Sequence, residues 1–203
     1  MNDVLTLLDW KRRVFALYQS VRSAADPEAA WGLWRETRDE LFRTHPQSPL
    51  PEKERRDFAG LEYFDYEPRL RVLADVTAAE QESLQIGTSG DHAILFRRFA
   101  VAAFELAGEK QTLDLHWLEG YGGGIFLAFA DETSGSETYG GGRYVLDSVK
   151  GADLGPEGER LVLDFNFAYN PSCSYDVRWI CPLAPPANRL PAAIRAGERY
   201  DQG

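Results

Sequence analysis

Hydrophobic and polar positions follow two different periods along this chain, and the period changes near residue 45. From Asp3 to about Ala24 the apolar residues Val4, Leu7, Leu8, Val14, Phe15, Tyr18 and Val21 return every three to four positions, which predicts an amphipathic helix. Asp26-Pro27-Glu28 then offers a capping acid, a proline suited to the first turn and a second acid near the helix N-terminus. A second helix is predicted from there to about Thr44, with Trp31, Trp34, Leu41 and Phe42 along its buried stripe. So short a link predicts an antiparallel hairpin.

Pro46, Pro49 and Pro51 stop regular structure, because proline donates no backbone hydrogen bond and pushes the residue before it out of helical space. After the charged run Glu52 to Asp57 the period becomes two. Leu61, Tyr63, Phe64 and Tyr66, then Leu70, Val72, Ala74 and Val76, read as strand. Further strands are predicted at Ser83 to Ile86, Ala93 to Leu106 and Gln111 to Leu118, with turns at Gly87 to Asp91 and Ala107 to Lys110. Thr77-Ala78-Ala79-Glu80 also matches a capping box, so a short helix competes there. Ile125 to Ala130 is continuously apolar, as in a strand buried on both faces. Loop follows from Asp131 to Gly142, then strands at Arg143 to Asp147 and Arg160 to Phe167, and a last one near Ala193 to Glu198. The predicted fold class is α+β: a helical hairpin (1–45) packed on a mainly antiparallel β domain (46–203) that curls into a barrel or two-layer sandwich. A Pro-rich C-terminal tail closes it, and the two parts form one structural unit.

At 203 residues, with 44% hydrophobic and 12% aromatic, the chain is long enough to bury a substantial core. Its 32 acids against 22 bases give a formal charge of -10, which repels nucleic acids and anionic membranes at long range. No apolar run approaches the roughly 18 residues a membrane span needs, and the N-terminus lacks a signal-peptide pattern. The expectation is a cytoplasmic, soluble protein without nucleic-acid or membrane partners. Aromatics on the helices can support a homodimer or pack the helices on the sheet.

The clusters Gly120-Tyr-Gly-Gly-Gly124 and Tyr139-Gly-Gly-Gly-Arg-Tyr144 lack the helix that must follow a dinucleotide-binding turn, and neither carries the Lys and Ser or Thr of a phosphate loop. They read as turns and close backbone packing beside aromatics. No cofactor is called for. Arg143 can grip a carboxylate or phosphate by two parallel hydrogen bonds, or form an internal salt bridge with Asp131, Glu137 or Asp164. In Leu161 to Phe167 the apolar residues alternate, turning Asp164 and Asn166 to one face, where they can orient a ligand or fasten a loop. His116 alternates with Leu115 and Trp117, and is either a general base lining a lumen or a solvent-facing side chain. Cys173 and Cys181 form no disulfide framework; buried thiols, a disulfide or redox pair, and metal ligands all stay open. The histidines at 45, 92 and 116 are too scattered to specify a metal site.

The run DFNFAYNPSCSY, followed by CPLAPPANRLPAAIRAGE, resembles the closing signature of domain-of-unknown-function family 1684, a bacterial and archaeal group. DETSGSETYGGGRYVLD, HPQSPL and FAGLEYFDY resemble it too. The resemblance falls on Tyr139, Arg143, Tyr144, Asp164, Asn166, Tyr169, Asn170, Pro171, Cys173, Tyr175, Cys181, Pro182, Asn188 and Glu198, while Ala187 stands where the family pattern implies an acid. It implies no particular activity, substrate or cofactor. Three readings follow. In the first, a β-domain pocket binds a small anionic molecule, with Arg143 as anchor, Tyr139, Tyr144 and Tyr169 as walls, and Asp164, Asn166, Asn170 and His116 orienting it or moving protons. In the second, the C-terminal block is a latch in a noncatalytic interaction or structural module. In the third, the two cysteines centre a thiol or metal protein.

Overall fold

The computed structural model describes residues 3–91 and 93–200. Helices α1 (Asp3–Ser23) and α2 (Pro27–Thr44) form the antiparallel hairpin: Arg13 lies against Glu40, Tyr18 against Trp34 and Trp10 against Phe42. Asp26 caps α2 by accepting from the N–H groups of Glu28 and Ala29. The helix stops at Thr44 because His45, preceding Pro46, takes an extended conformation. The charged run contributes one helical turn, α3 (Glu52–Arg55).

Seven strands follow: β1 (Arg71–Gly87), β2 (Ala93–Leu106), β3 (Glu109–Leu118), β4 (Gly124–Phe129), β5 (Arg143–Asp147), β6 (Pro156–Glu157) and β7 (Arg160–Asp164). They pair antiparallel in the order β5-β4-β3-β2-β1-β7-β6, a curled half-barrel with the helices packed on it. Tyr144 on β5 exchanges backbone hydrogen bonds with Tyr169, just beyond β7, at 2.9 and 3.0 Å. That single bridge joins the two sides of the curl.

Alternation along β4 separates two cores. Leu127 and Phe129 face a cluster with Leu113, Leu115, Leu163, Phe165 and the tail residues Leu190, Ile194 and Ala196. Phe126 and Ala128 face the opposite way, toward Leu17, Tyr18, Trp31 and Trp34 of the helices. The helix aromatics on which a dimer could rest are thus largely spent inside the chain: Trp34 is fully buried, edge-on to Tyr63 and Phe167.

Five predicted elements differ, and one of them is the separate strand at Ser83 to Ile86, which is continuous with the strand through Val76 as β1. Residues 61–70 form no strand; Tyr63 makes one bridge to Glu198, and a short 3-10 turn at Pro68–Leu70 precedes β1. Their aromatics pack on α2 without a ladder. The capping-box helix at Thr77 to Glu80 is absent because β1 runs through it, with Thr77 opposite Val101 and Ala78 opposite Ala100. At the far end β7 stops at Asp164, whose side chain accepts from the Asn166 N–H and caps a 3-10 turn, Phe165–Phe167. Ala193 to Glu198 forms no strand either. Its backbone bonds go singly to scattered loops, as in Phe64 to Gly197, Glu198 to Ala168 and Arg199 to Glu62.

Candidate functional site

Arg143 opens β5 behind Gly142, whose φ of +90° and 2.6 Å approach of a would-be Cβ to the Phe129 carbonyl leave room for glycine alone. The arginine is 1% exposed. One Nη donates to Asp131 Oδ2 and to the Ile194 carbonyl, both at 2.8 Å; the other donates to the carbonyls of Ala196 and Glu198. Asp131 is itself fixed by the N–H and hydroxyl of Thr133. Of the two roles open to Arg143 in the sequence, the geometry fills the internal salt bridge, with Asp131 as the acid. Three carbonyls make its guanidinium the clasp of the tail.

A second polar centre joins the tail to the helices. Glu198, 1% exposed, accepts from Arg38 at 2.7 Å, from the Asn170 N–H at 3.0 Å and from the Tyr175 hydroxyl. Burial pushes its carboxyl above the usual range against the pull of Arg38. Arg38 also donates to Tyr63 and lies over the rings of Trp34, Phe42 and Tyr169. Arg38 escaped the sequence reading: an arginine on an exposed-looking helical face carries no local signal that an acid 160 positions later will cover it. Two asparagines complete the fastening. Asn166 donates to and accepts from the backbone of Glu67, at 2.9 and 2.8 Å. Asn188 does the same to Asp114 and also reaches the Ala128 carbonyl. Ala187 beside it is exposed in a short turn, Pro186–Asn188.

Tyr144 and Tyr169 are buried edge to face, and Tyr144 donates to the Pro182 carbonyl. Asn170 donates to the Arg199 carbonyl. Tyr139 is half-buried with its hydroxyl 3.6 Å from Cys173 Sγ. These residues therefore surround the clasp and the thiols, and no hydrogen bond joins Arg143 to Asp164 or Asn166 among the described residues. His116 is not solvent-facing: it is 1% exposed and edge-on to Phe96, because the face of β3 opposite Leu113 and Leu115, which it shares with Phe96 and Phe126, is covered by the helices. Burial lowers its pKa, and neither ring nitrogen has a partner among the described residues. Among those residues no three His, Cys, Asp or Glu side chains converge on a metal-sized site, and His92 lies outside them.

Asp164 has different surroundings. It is 1% exposed, accepts from the N–H and side-chain amide of Asn166 at 3.0 and 2.8 Å, and faces the Tyr66 hydroxyl at 3.5 Å. Burial raises its pKa to about 6 despite those donors. It borders a cleft of about 80 Å³ between the hairpin and the sheet, shared with Arg22 at the end of α1, Pro27 and Ala30 in the first turn of α2, and Arg71. Arg71 is its register partner across β1 and β7. Arg22 holds Asp153 and Arg71 holds Glu157, each through one Nη, which leaves further N–H donors on both guanidiniums. A wider cleft of about 510 Å³ lies between residues 64–70, Leu106, Ala107 and the tail segment 192–195. Its two arginines, Arg69 and Arg195, are each gripped bidentately by Glu67 and Glu137. Neither cleft is bordered by His116, Arg143, Tyr139, Tyr144, Tyr169 or Asn170.

A helical hairpin laid on a curled antiparallel sheet, strapped by its own C-terminal tail through buried arginine clasps, defines the class of protein. Residues 56–199 match the family described as protein of unknown function (DUF1684), and the chain belongs to that family. It is similar to an uncharacterized protein of Haloarcula marismortui with a solution NMR structure: 39% identity, covering 86% of this chain and 95% of that one, with a TM-score of 0.62. No curated protein matches. No helix among the described residues is long and apolar enough to cross a membrane.

Proposed function

We propose that this protein binds a small anionic molecule whose charged group sits in the cleft between Arg22, Arg71 and Asp164. The supporting observation is that this cleft sets two guanidiniums, each with N–H donors beyond those given to Asp153 and Glu157, beside a carboxyl group with a raised pKa. Its volume of about 80 Å³ suits a carboxylate or phosphate group; whole drug-sized ligands occupy roughly 300–1,000 Å³. Asp164 is the residue retained from the site read in the sequence. Arg143, Asn166, Asn170 and the three tyrosines lie outside this cleft, and the bonds of Arg143, Asn166, Asn170 and Tyr144 to backbone groups support the latch of the second reading.

Sulfate keeps its charge over the relevant range and is the probe of choice. Thermal melting with rising sulfate, against sodium chloride of equal ionic strength, should raise Tm more in the wild type than in Arg71→Ala, where only sulfate's general stabilisation by exclusion from the surface remains. Protonated Asp164 loses its negative charge and gains a donor, so the sulfate effect should be several-fold stronger near about pH 5 than near about pH 8. Equal sulfate responses in the wild type and Arg71→Ala would refute the reading.

A further inference from the structure

The thiol pair lies apart from both clefts and is unused by the anion reading. Cys173 and Cys181 are both free, and are 9% and 6% exposed. The Cys173 N–H donates to Cys181 Sγ at 3.3 Å. The pair is held from three sides. The β1–β2 turn pins Cys181, with Ser89 accepting its N–H at 3.1 Å and donating its own N–H to its carbonyl at 3.0 Å. Tyr139 sets its hydroxyl 3.6 Å from Cys173 Sγ. The short 3-10 turn Ser172–Ser174 presents Cys173. The segment Ser174 to Ile180 joins the two cysteines and leaves Val177 96% and Ile180 51% exposed.

We propose that Cys173 and Cys181 are a reversible dithiol–disulfide pair, oxidised by a hydroperoxide, with Cys173 the attacking and Cys181 the resolving thiol. The Cys173 thiolate attacks the outer oxygen of the peroxide. The O–O bond breaks, the alkoxide or hydroxide leaves with a proton as alcohol or water, and Cys173 becomes a sulfenic acid. The Cys181 sulfur then bonds to Cys173 Sγ as the S–O bond breaks and water departs. Two thiols and one hydroperoxide yield one disulfide, one alcohol or water, and one water; the sulfurs supply the two electrons that the peroxide accepts. A dithiol reductant reverses the change by exchange.

The division of roles rests on the asymmetry of the site. The neighbouring Cys181 thiol and the Tyr139 hydroxyl, 3.6 Å from the Cys173 sulfur, lower the Cys173 pKa to about 6, whereas Cys181 is pushed up by its neighbour thiol and by burial. A thiolate so stabilised is the nucleophile, and the protonated neighbour is the group that closes on it.

The test uses the full chain and hydrogen peroxide. Peptide mapping after differential alkylation should show a 173–181 disulfide within one molecule, restored to two thiols by dithiothreitol. In Cys181→Ser, peroxide should leave a sulfenic acid on Cys173 that dimedone traps; in Cys173→Ser the remaining thiol should react at least tenfold more slowly. If either variant fails to fold, the wild-type map decides alone. Two thiols persisting in folded protein under excess peroxide, or Cys173→Ser reacting as fast as Cys181→Ser, would overturn the proposal. The sulfate response of the wild type is independent of all these outcomes.

Discussion

Arg143 and Asp164 show how two charged residues with similar local sequence cues reach opposite fates. Arg143 is fully enclosed and matched by one carboxylate and three carbonyls. Removing it strands Asp131 as a buried charge and leaves the tail carbonyls unpaired. Arg143→Ala should therefore cost about 3–5 kcal/mol, read from urea denaturation, with Arg143→Lys recovering only part of it. Asp164 is buried without a guanidinium on its carboxylate, so its pKa rises from 3.8 to about 6. The sign follows from proton linkage: the native state holds the extra proton between those values, so stability is greatest below the unfolded pKa and falls as pH rises toward about 6. Relative to Asp164→Asn, the wild type should lose up to about 3 kcal/mol between about pH 4 and about pH 6.5, measured by denaturant titration at each pH. The alternating pattern in Leu161 to Phe167 made Asp164 and Asn166 legible as neighbours, although a capped 3-10 turn brings them together where strand pleating was expected. The acid that Arg143 selects among its candidates depended on the loop fold around Thr133, which no local pattern encodes.

Among the elements, the regular ones were legible and the irregular ones were not, for a physical reason. Helices α1 and α2 and strands β2 to β5 carry their own periodicity and their own stop signals, so their bounds follow from the chain itself. The segments 61–70 and 182–200 obtain their hydrogen bonds from scattered partners, one or two at a time. Their alternating or apolar composition looks like strand, yet no continuous edge is offered to them. Asn166 and Asn188 stand in for the missing ladder by presenting amide side chains to backbone groups of Glu67 and Asp114. Asn188→Ala would leave an N–H and two carbonyls buried without partners, a loss of about 2–4 kcal/mol if each orphaned group contributes roughly 1 kcal/mol. Amide hydrogen exchange should locate the effect at Asp114 and along β4. A loss confined to the tail would show that Asn188 anchors only itself.

At the scale of the whole molecule, the tail is what converts an open, curled sheet into a closed object. It covers one face of β4 with Leu190, Ile194 and Ala196 while the helical hairpin covers the other. Arg143 and Glu198 clamp it from the two sides. This arrangement explains why Arg143, Tyr139, Tyr144, Tyr169 and Asn170 border neither cleft, while Asp164 from the same block borders the first. What stays open to chemistry lies at the seam between hairpin and sheet. At this seam Arg22 and Arg71 each already hold an acid, and with a net charge of -10 the attraction of anions to their remaining donors should weaken with salt.

Nitrogen-15 NMR of the full chain titrated with sulfate at about pH 5 tests this arrangement most directly. Shift changes should concentrate on Arg22, Arg71, Asp164 and the first turn of α2, saturate, and vanish in Arg71→Ala. Saturating changes centred instead on Arg143 and the tail carbonyls of Ile194 to Glu198, or no saturable change anywhere, would contradict it.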